Sequence, residues 1–208
     1  MKHEWRKKEK KIYIPANKPE VIEVPKFKFL TINGEGNPNM ESFTNYIEVL
    51  YTLSYGIKMS PKKGMELKGF YDYTVYPLEG VWDINEKAKK NFNGLINKDD
   101  LVFKLMIRQP DFVHADFVGI IREMTIKRKP LELLREVSFE EIEEGKCIQM
   151  LHKGSFDNEP ETFKVMEEFA ETNGLKRVSK IHREIYLSDT RKVAPEKLKT
   201  TLRFNVEG

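Results

Sequence analysis

The feature that most constrains the fold of this chain is an internal repeat. Gly34 and Gly154 lie 120 positions apart (154 minus 34), and at the same offset Asn37 matches Asp157, Glu41 matches Glu161, Ser42 matches Thr162 and Phe43 matches Phe163. Ahead of each glycine runs a segment of strand length, Phe29-Leu30-Thr31-Ile32 in one copy and Gln149-Met150-Leu151-His152 in the other. Behind each comes helical spacing: Phe43, Tyr46, Ile47, Leu50 and Ser54, widened by Tyr51 and Leu53, then Phe163, Met166, Phe169 and Ala170, ending near Gly56 and Gly174. Asn37 and Asp157 carry side-chain oxygens suited to a helix cap, and Pro38 follows at the favoured first helical position. The matched residues are few, but they share structural roles, which is the mark of a duplicated unit.

The other elements complete the plan. Residues 69–81 read as a strand region (Phe70-Tyr71-Asp72-Tyr73-Thr74-Val75-Tyr76) broken by Pro77 and Gly80, and 101–107 as an apolar strand. Val113, Phe117, Ile120, Ile121 and Met124 give an amphipathic helix that Pro130 stops. Ser138-Phe139-Glu140-Glu141 fits a capping box opening a short helical turn. Residues 147–151 and 201–206 read as strands, with a helical turn at Ala194-Pro195-Glu196-Lys197. The expected fold class is α+β: tandem duplicated strand–helix–strand–strand modules with antiparallel sheets and a ligand groove between the halves. The expected organisation is one domain over residues 1–208, with halves at about 24–130 and 131–208 after an N-terminal extension, 1–23.

Composition narrows the function. The 36 basic and 33 acidic residues leave a net charge of +3 with mixed signs, and the two basic runs, Arg6-Lys7-Lys8-Glu9-Lys10-Lys11 and Lys127-Arg128-Lys129, are short enough to read as solvated faces. Nucleic-acid binding in cis is not expected, and no helix-turn-helix precedes the first module. No apolar run approaches a membrane span, no secretory leader is visible, and the single cysteine, Cys147, makes no internal disulfide, so a cytoplasmic, membrane-free protein is expected. Oligomeric state leaves no trace in the sequence. The 13 Phe, 8 Tyr and 2 Trp exceed what most cores of this size require, and such an excess can line a cavity for flat ligands.

The sharpest chemical candidate is Glu184. In the strand-like run Ile181-His182-Arg183-Glu184-Ile185-Tyr186-Leu187-Ser188, alternation puts His182, Glu184, Tyr186 and Ser188 on one side and Ile181, Ile185 and Leu187 on the other, interrupted by Arg183. A carboxylate among aromatics is poorly solvated, which should raise its pKa and suit it to acid or base work. The blander reading is a rim acid paired with Arg183, Arg191 or a lysine. A second cluster is Tyr71-Asp72-Tyr73-Thr74-Val75-Tyr76-Pro77-Leu78-Glu79-Gly80-Val81-Trp82. There Tyr73 and Tyr76 share a face only if the strand is distorted, and Trp82 either caps a cavity or plugs the core. The four histidines show no metal-ligand spacing, so no metal site is expected, and no cofactor motif is present: Gly34-Glu35-Gly36 lacks both dinucleotide and P-loop spacing.

Four segments together resemble the stand-alone GyrI-like small-molecule-binding proteins, relatives of the effector-binding domains of multidrug-responsive activators. They are His3-Glu4-Trp5-Arg6-Lys7-Lys8 through Tyr13, Pro15 and Val24-Pro25-Lys26-Phe27; Ile32-Asn33-Gly34-Glu35-Gly36-Asn37-Pro38-Asn39; Tyr76-Pro77-Leu78-Glu79-Gly80-Val81-Trp82; and His182-Arg183-Glu184-Ile185-Tyr186-Leu187-Ser188-Asp189 with Pro195-Glu196-Lys197-Leu198-Lys199. Arg183 stands where the family often has a second His, and Thr190 where it often has Pro. The resemblance implies the duplicated fold and a small-molecule ligand, aromatic or cationic, held by a buried acid and aromatic walls. Carried over residue by residue, the acid falls on Glu184 as the catalytic candidate, and the ligand-binding residues on Tyr73, Tyr76, Trp82, His182 and Tyr186. It also implies possible chemistry, hydrolysis of electrophilic cyclopropane-containing xenobiotics. The alternatives are a non-catalytic drug-sensing or sequestering protein, or a protein-partner modulator.

Overall fold

The computed structural model describes residues 2–208. In chain order it contains helices α1 (Trp5–Lys8) and α2 (Lys10–Tyr13), strands β1 (Glu20–Val24) and β2 (Phe27–Glu35), helix α3 (Phe43–Lys58), strand β3 (Leu78–Ile84), helix α4 (Glu86–Lys90), strand β4 (Leu101–Gln109), helix α5 (Ala115–Arg128), strands β5 (Ser138–Ile142) and β6 (Gly145–Lys153), helix α6 (Glu159–Thr172), and strands β7 (Lys176–Arg177), β8 (His182–Tyr186) and β9 (Lys199–Glu207). The expected α+β class and its duplicated plan are present: β2–α3–β3–β4, then β6–α6–β8–β9. β2 and β6 correspond at both ends with an offset of 118 (145 minus 27, 153 minus 35), two fewer than the glycine spacing. An even difference keeps strand faces in phase, so both offsets match the same elements face to face.

Contacts divide the chain into two units. His3, residues 27–78 and residues 82–142 belong to the first; residues 4–26, 79–81 and 143–208 belong to the second. In the first unit β2 lies between β4 and β5, antiparallel to both, running from Lys28↔Gln109 to Glu35↔Val102 on one side and from Phe27↔Ile142 to Thr31↔Ser138 on the other. Helix α3 buries Val49, Leu50, Leu53, Ser54 and Ile57, residues three and four apart that form one stripe, and packs against β2, β4 and α5. In α5 the buried residues are Phe117, Val118, Ile121 and Thr125, whereas Ile120 and Met124, read from spacing as core-facing, are exposed. The stripe is rotated because Gly56 lets α5 approach α3 closely, with Ile121 occupying the space a Cβ would need.

The second unit is a sheet in the order β1–β6–β9–β8, all antiparallel, with residues of β3 beyond β8. On one face α6 lays Met166 and Ala170 over Ile148, Leu202, Phe204 and Val206. On the other face the N-terminal segment is tied down by buried polar groups: Thr201 Oγ1 donates to the Tyr13 carbonyl at 2.8 Å, Gln149 Nε2 to the Lys11 carbonyl at 2.7 Å, and Arg203 Nη2 to the Ile12 carbonyl at 2.5 Å. The last turn of α2 thus gives its otherwise unmatched carbonyls to the sheet's side chains.

Several local expectations are overturned. Helix α3 begins at Phe43, so Pro38 is not its first residue, and Asn37 instead closes a turn by accepting from the Asn39 N–H at 3.0 Å. Ser155, not Asp157, supplies the side-chain oxygen ahead of α6, accepting from the Asp157 N–H. Ser138–Glu141 is strand, not a capped helix, because pairing with β2 satisfies its backbone and Glu140 accepts from Thr31 Oγ1 and, at 2.9 Å, from Lys104 Nζ. Residues 70–77 lack the ladder that their aromatics suggested; Tyr73 makes only an isolated bridge to His3. Propensity for strand is overridden there, where pairing goes no further than the single bridge to His3. No helix among the described residues is long and apolar enough to cross a membrane.

Candidate functional site

The register of β8 on β9 decides where each of its side chains goes. Glu184 sits opposite Leu202, and Arg183 opposite Arg203. Directly opposed residues share a face, so Glu184 joins the α6 side of the sheet and Arg183 the side covered by the N-terminal segment. The alternation expected for His182, Glu184 and Tyr186 is present, but the strand ends at Tyr186 and both faces are covered. Glu184 therefore faces α6 and not an open sheet surface.

Arg183, read as an interruption of a core face, is the centre of a buried ion network. Its Nη1 donates to Glu79 Oε2 at 2.8 Å and its Nε lies 3.2 Å from Glu144 Oε1, while Arg203 Nη1 reaches Glu144 Oε2 at 2.8 Å and Arg203 Nη2 reaches Gln149 Oε1 at 2.8 Å. Burial pushes Glu79 above the ordinary carboxylate range, only partly opposed by Arg183 and Arg203. Glu144 feels the same burial, yet two guanidiniums, Arg203 and Arg183, carry it below that range. Thus neither Arg183 nor Arg191 neutralises Glu184: Arg191 makes a bidentate pair with Asp189 at 2.9 Å.

Glu184, 9% exposed, meets His182 and Glu159 instead. His182 Nε2 lies 3.2 Å from Glu184 Oε1, and His182 Nδ1 lies 3.2 Å from the Lys180 carbonyl oxygen. Glu159 is 6% exposed in the first turn of α6; burial first, then the neighbouring Glu184 carboxyl, push its pKa well up. Its Oε1 has no hydrogen-bond partner among the described residues. The ligand-capable atoms of Glu159, His182 and Glu184 all lie within 4.8 Å of one another. Phe163 stands edge-on to His182 at 4.7 Å, and Phe156 edge-on to Tyr186 at 6.0 Å. The structure thus brings Glu184, His182, Glu159 and Phe163 together, with Tyr186 on the same strand face.

Glu159 was missed in the sequence, and so was this grouping. A signal existed: Glu159, Phe163, Met166 and Ala170 follow a helical i, i+4, i+7, i+11 stripe, so Glu159 is an acid at the head of the buried face of α6. Setting the cap at Asp157 hid it.

The other candidates lie in the first unit. Tyr73 and Tyr76, both 1% exposed, have ring centroids 6.5 Å apart, so the irregular backbone of this segment allows what a strand would have forbidden. Tyr71 and Phe112 extend the cluster, Arg108 lies 4.6 Å from the Tyr76 ring centroid, and Lys58 Nζ 5.6 Å from that of Tyr73. The Tyr73 hydroxyl is buried without a hydrogen-bond partner among the described residues; burial, with Tyr71 and Asp72, pushes its pKa up. Trp82 is packed between Phe43 at 5.9 Å and Phe103 at 5.2 Å, 5% exposed. Cys147 is buried, and burial pushes its thiol up to about 12, so it is no nucleophile.

The duplicated β–α–β–β scaffold has counterparts among known proteins. Residues 17–207 match the GyrI-like small molecule binding domain. The chain belongs to the GyrI-like family. Two Listeria innocua crystal structures are close to it over the full length. One, a protein described as a hydrolase, is 38% identical with a TM-score of 0.89; the other, an uncharacterized conserved protein, is 39% identical with a TM-score of 0.90. Each match covers 99% of this chain and 100% of the other. The EcmrR C-terminal domain shares the fold at 15% identity, with a TM-score of 0.55 over 94% of this chain and 98% of that one. No curated protein matches the sequence. A GyrI-like domain is a small-molecule-binding domain, so a small-molecule ligand is the partner this chain's family membership supports.

Proposed function

We propose that this GyrI-like protein binds flat, aromatic or cationic xenobiotics through Glu184 and acts on those that carry an electrophilic cyclopropane. The observation that carries the reading is the Glu184 carboxylate, buried beside His182 and Glu159 and bordered by Phe163. Glu184 has no guanidinium or ammonium partner among the described residues, and such a low-dielectric carboxylate attracts a ligand cation more strongly than a solvated one, with aromatic rings adding to that attraction. The hydrolase description of a 38% identical Listeria protein supports turnover. In the proposed step, Glu184 accepts a proton from water as the water oxygen bonds to the strained ring carbon. The ring carbon–carbon bond breaks, its electron pair passes into the conjugated carbonyl of the substrate, and a proton then completes the enol. The net result is addition of one water.

His182 and Tyr186 are proposed ligand contacts on the same strand face. In the first unit Tyr73, Tyr76 and Trp82 are proposed as aromatic contacts, with the Tyr73 hydroxyl as a hydrogen-bond donor. The proposed compartment is the cytoplasm.

The test is a titration of a planar cationic dye, followed by mass spectrometry of a cyclopropane-bearing alkylator incubated with the protein. Glu184→Gln keeps shape and removes charge. A charge-assisted contact contributes about 1.5–3 kcal/mol, so affinity should fall roughly 10- to 100-fold, and the water-addition product should disappear. Equal dye affinity and equal turnover in the variant would remove Glu184 from the function. Dye binding with no added water in wild type would leave the non-catalytic, sequestering role. Tyr73→Phe should fold normally and weaken carbonyl-bearing ligands; unchanged affinity would exclude Tyr73.

A further inference from the structure

We infer that Glu159, His182 and Glu184 form a divalent-cation site, best suited to zinc, in which the two carboxylates and His182 Nε2 are the ligands. The first argument is about donors and acceptors. The Lys180 carbonyl can only accept, so His182 Nδ1, 3.2 Å away, carries the imidazole hydrogen. In the neutral ring that leaves Nε2 as a bare lone pair, and it faces a carboxylate oxygen at 3.2 Å. The ligand-capable atoms of Glu159, His182 and Glu184 all lie within 4.8 Å of one another. One of the four carboxylate oxygens, Glu159 Oε1, has no hydrogen-bond partner among the described residues although its residue is 94% buried (100 minus 6).

The cluster therefore needs positive charge at its centre. Two protons would serve, one on Nε2 and one shared by the carboxylates. A divalent ion would serve with all three ligands deprotonated, cancelling the two negative charges.

Geometry favours the ion. Zinc bonds N and O at about 2.0–2.2 Å, so tetrahedral ligand atoms sit roughly 3.3–3.6 Å apart. The 3.2 Å between His182 Nε2 and Glu184 Oε1 is close to that, and the 4.8 Å limit on the set closes with a small side-chain movement. The carbonyl behind Nδ1 is the outer partner that metal-bound histidines usually have, fixing tautomer and ring plane. Three protein ligands leave a fourth position open, and His182, with 21% of its side chain exposed, is the open side of the cluster. Imidazole with carboxylates selects zinc or a neighbouring transition ion over magnesium, which prefers oxygen ligands and keeps its water.

This goes beyond the organic-ligand reading and does not rest on it, because metal binding is measured with no organic ligand present. Chelator-treated, dialysed full-length protein is titrated with zinc chloride by calorimetry at neutral pH, alongside Glu159→Gln, His182→Gln and Glu171→Gln, the last an exposed acid on the same helix. Wild type and Glu171→Gln should each take one zinc ion per chain with a dissociation constant below about 10 µM. Glu159→Gln and His182→Gln should each weaken it at least about tenfold, the scale on which even outer-sphere changes act. Cobalt(II) added to wild type gives a check that requires no variant to fold: a four- or five-coordinate site with a histidine ligand produces visible absorption far stronger than aqueous cobalt. Absence of zinc binding up to 100-fold above that range, zinc binding undiminished in both ligand variants, or a cobalt spectrum identical to the aqueous ion would each overturn the inference. Dye binding and turnover measured in excess chelator would then still report on the organic-ligand reading by themselves.

Discussion

Arg183→Met tests the buried charge network behind the site strand. The guanidinium and its two acids have side chains only 7%, 2% and 7% exposed for Arg183, Glu79 and Glu144. Methionine approximates the volume, so cavity cost is small and electrostatics dominates. Glu144 keeps Arg203 at 2.8 Å, so the penalty falls on Glu79. Removing one partner of a buried pair costs about 3–5 kcal/mol, because the other charge stays desolvated. For a chain of this size that corresponds to a fall in Tm of roughly 6–20 °C. The sign of the pH dependence follows from Glu79. Its folded pKa is already raised above 4.5, so the folded state holds its proton more tightly than the unfolded chain does. Losing Arg183 raises it further, and the defect should be largest at pH 8 and shrink toward pH 5 as Glu79 takes a proton. Urea unfolding followed by circular dichroism at both pH values reads it. The double variant Glu79→Gln/Arg183→Met should recover most of the loss, with a coupling of at least about 1.5 kcal/mol. A single variant that loses less than about 1 kcal/mol at pH 8, or a double variant no better than the single, would refute the reasoning. Because Arg183 and Glu184 face opposite sides of the sheet, the double variant should bind a cationic dye within about twofold of wild type.

Two further outcomes follow from the same geometry. Glu159, raised by burial, by Glu184 and by Asp157, binds its proton more tightly when folded, so metal-free protein should gain stability as pH falls toward 4.5 from above the raised value. Glu159→Gln should flatten that rise and stabilise the metal-free protein by about 1–3 kcal/mol at pH 8, read by thermal melts in excess chelator across pH 5–8. Gly34→Ala should destabilise by roughly 1–3 kcal/mol, because a Cβ there would stand 2.4 Å from the Phe103 ring and 2.9 Å from the Tyr46 ring; a denaturant melt within about 0.5 kcal/mol of wild type would contradict it.

The sequence by itself determined the duplicated plan, because the hydrophobic periods of β2, α3, β6 and α6 are local properties of the chain. It also singled out Glu184, since alternation along 182–186 needs no partner to be read. What Glu184 meets was decided only in three dimensions. Register against β9 sends Arg183 and Glu184 to opposite faces, and neither direction is encoded in the strand itself. Glu79 and Glu144 reach Arg183 from 104 and 39 positions away (183 minus 79, 183 minus 144), so no local pattern could have paired them. Tyr73 and Tyr76 adjoin because their segment finds no strand to pair with over its length, a tertiary fact that overrides aromatic strand propensity. The opening repeat supplied the scaffold, and the folded sheet chose the company of its one conspicuous acid: a second glutamate, a histidine and a phenylalanine edge.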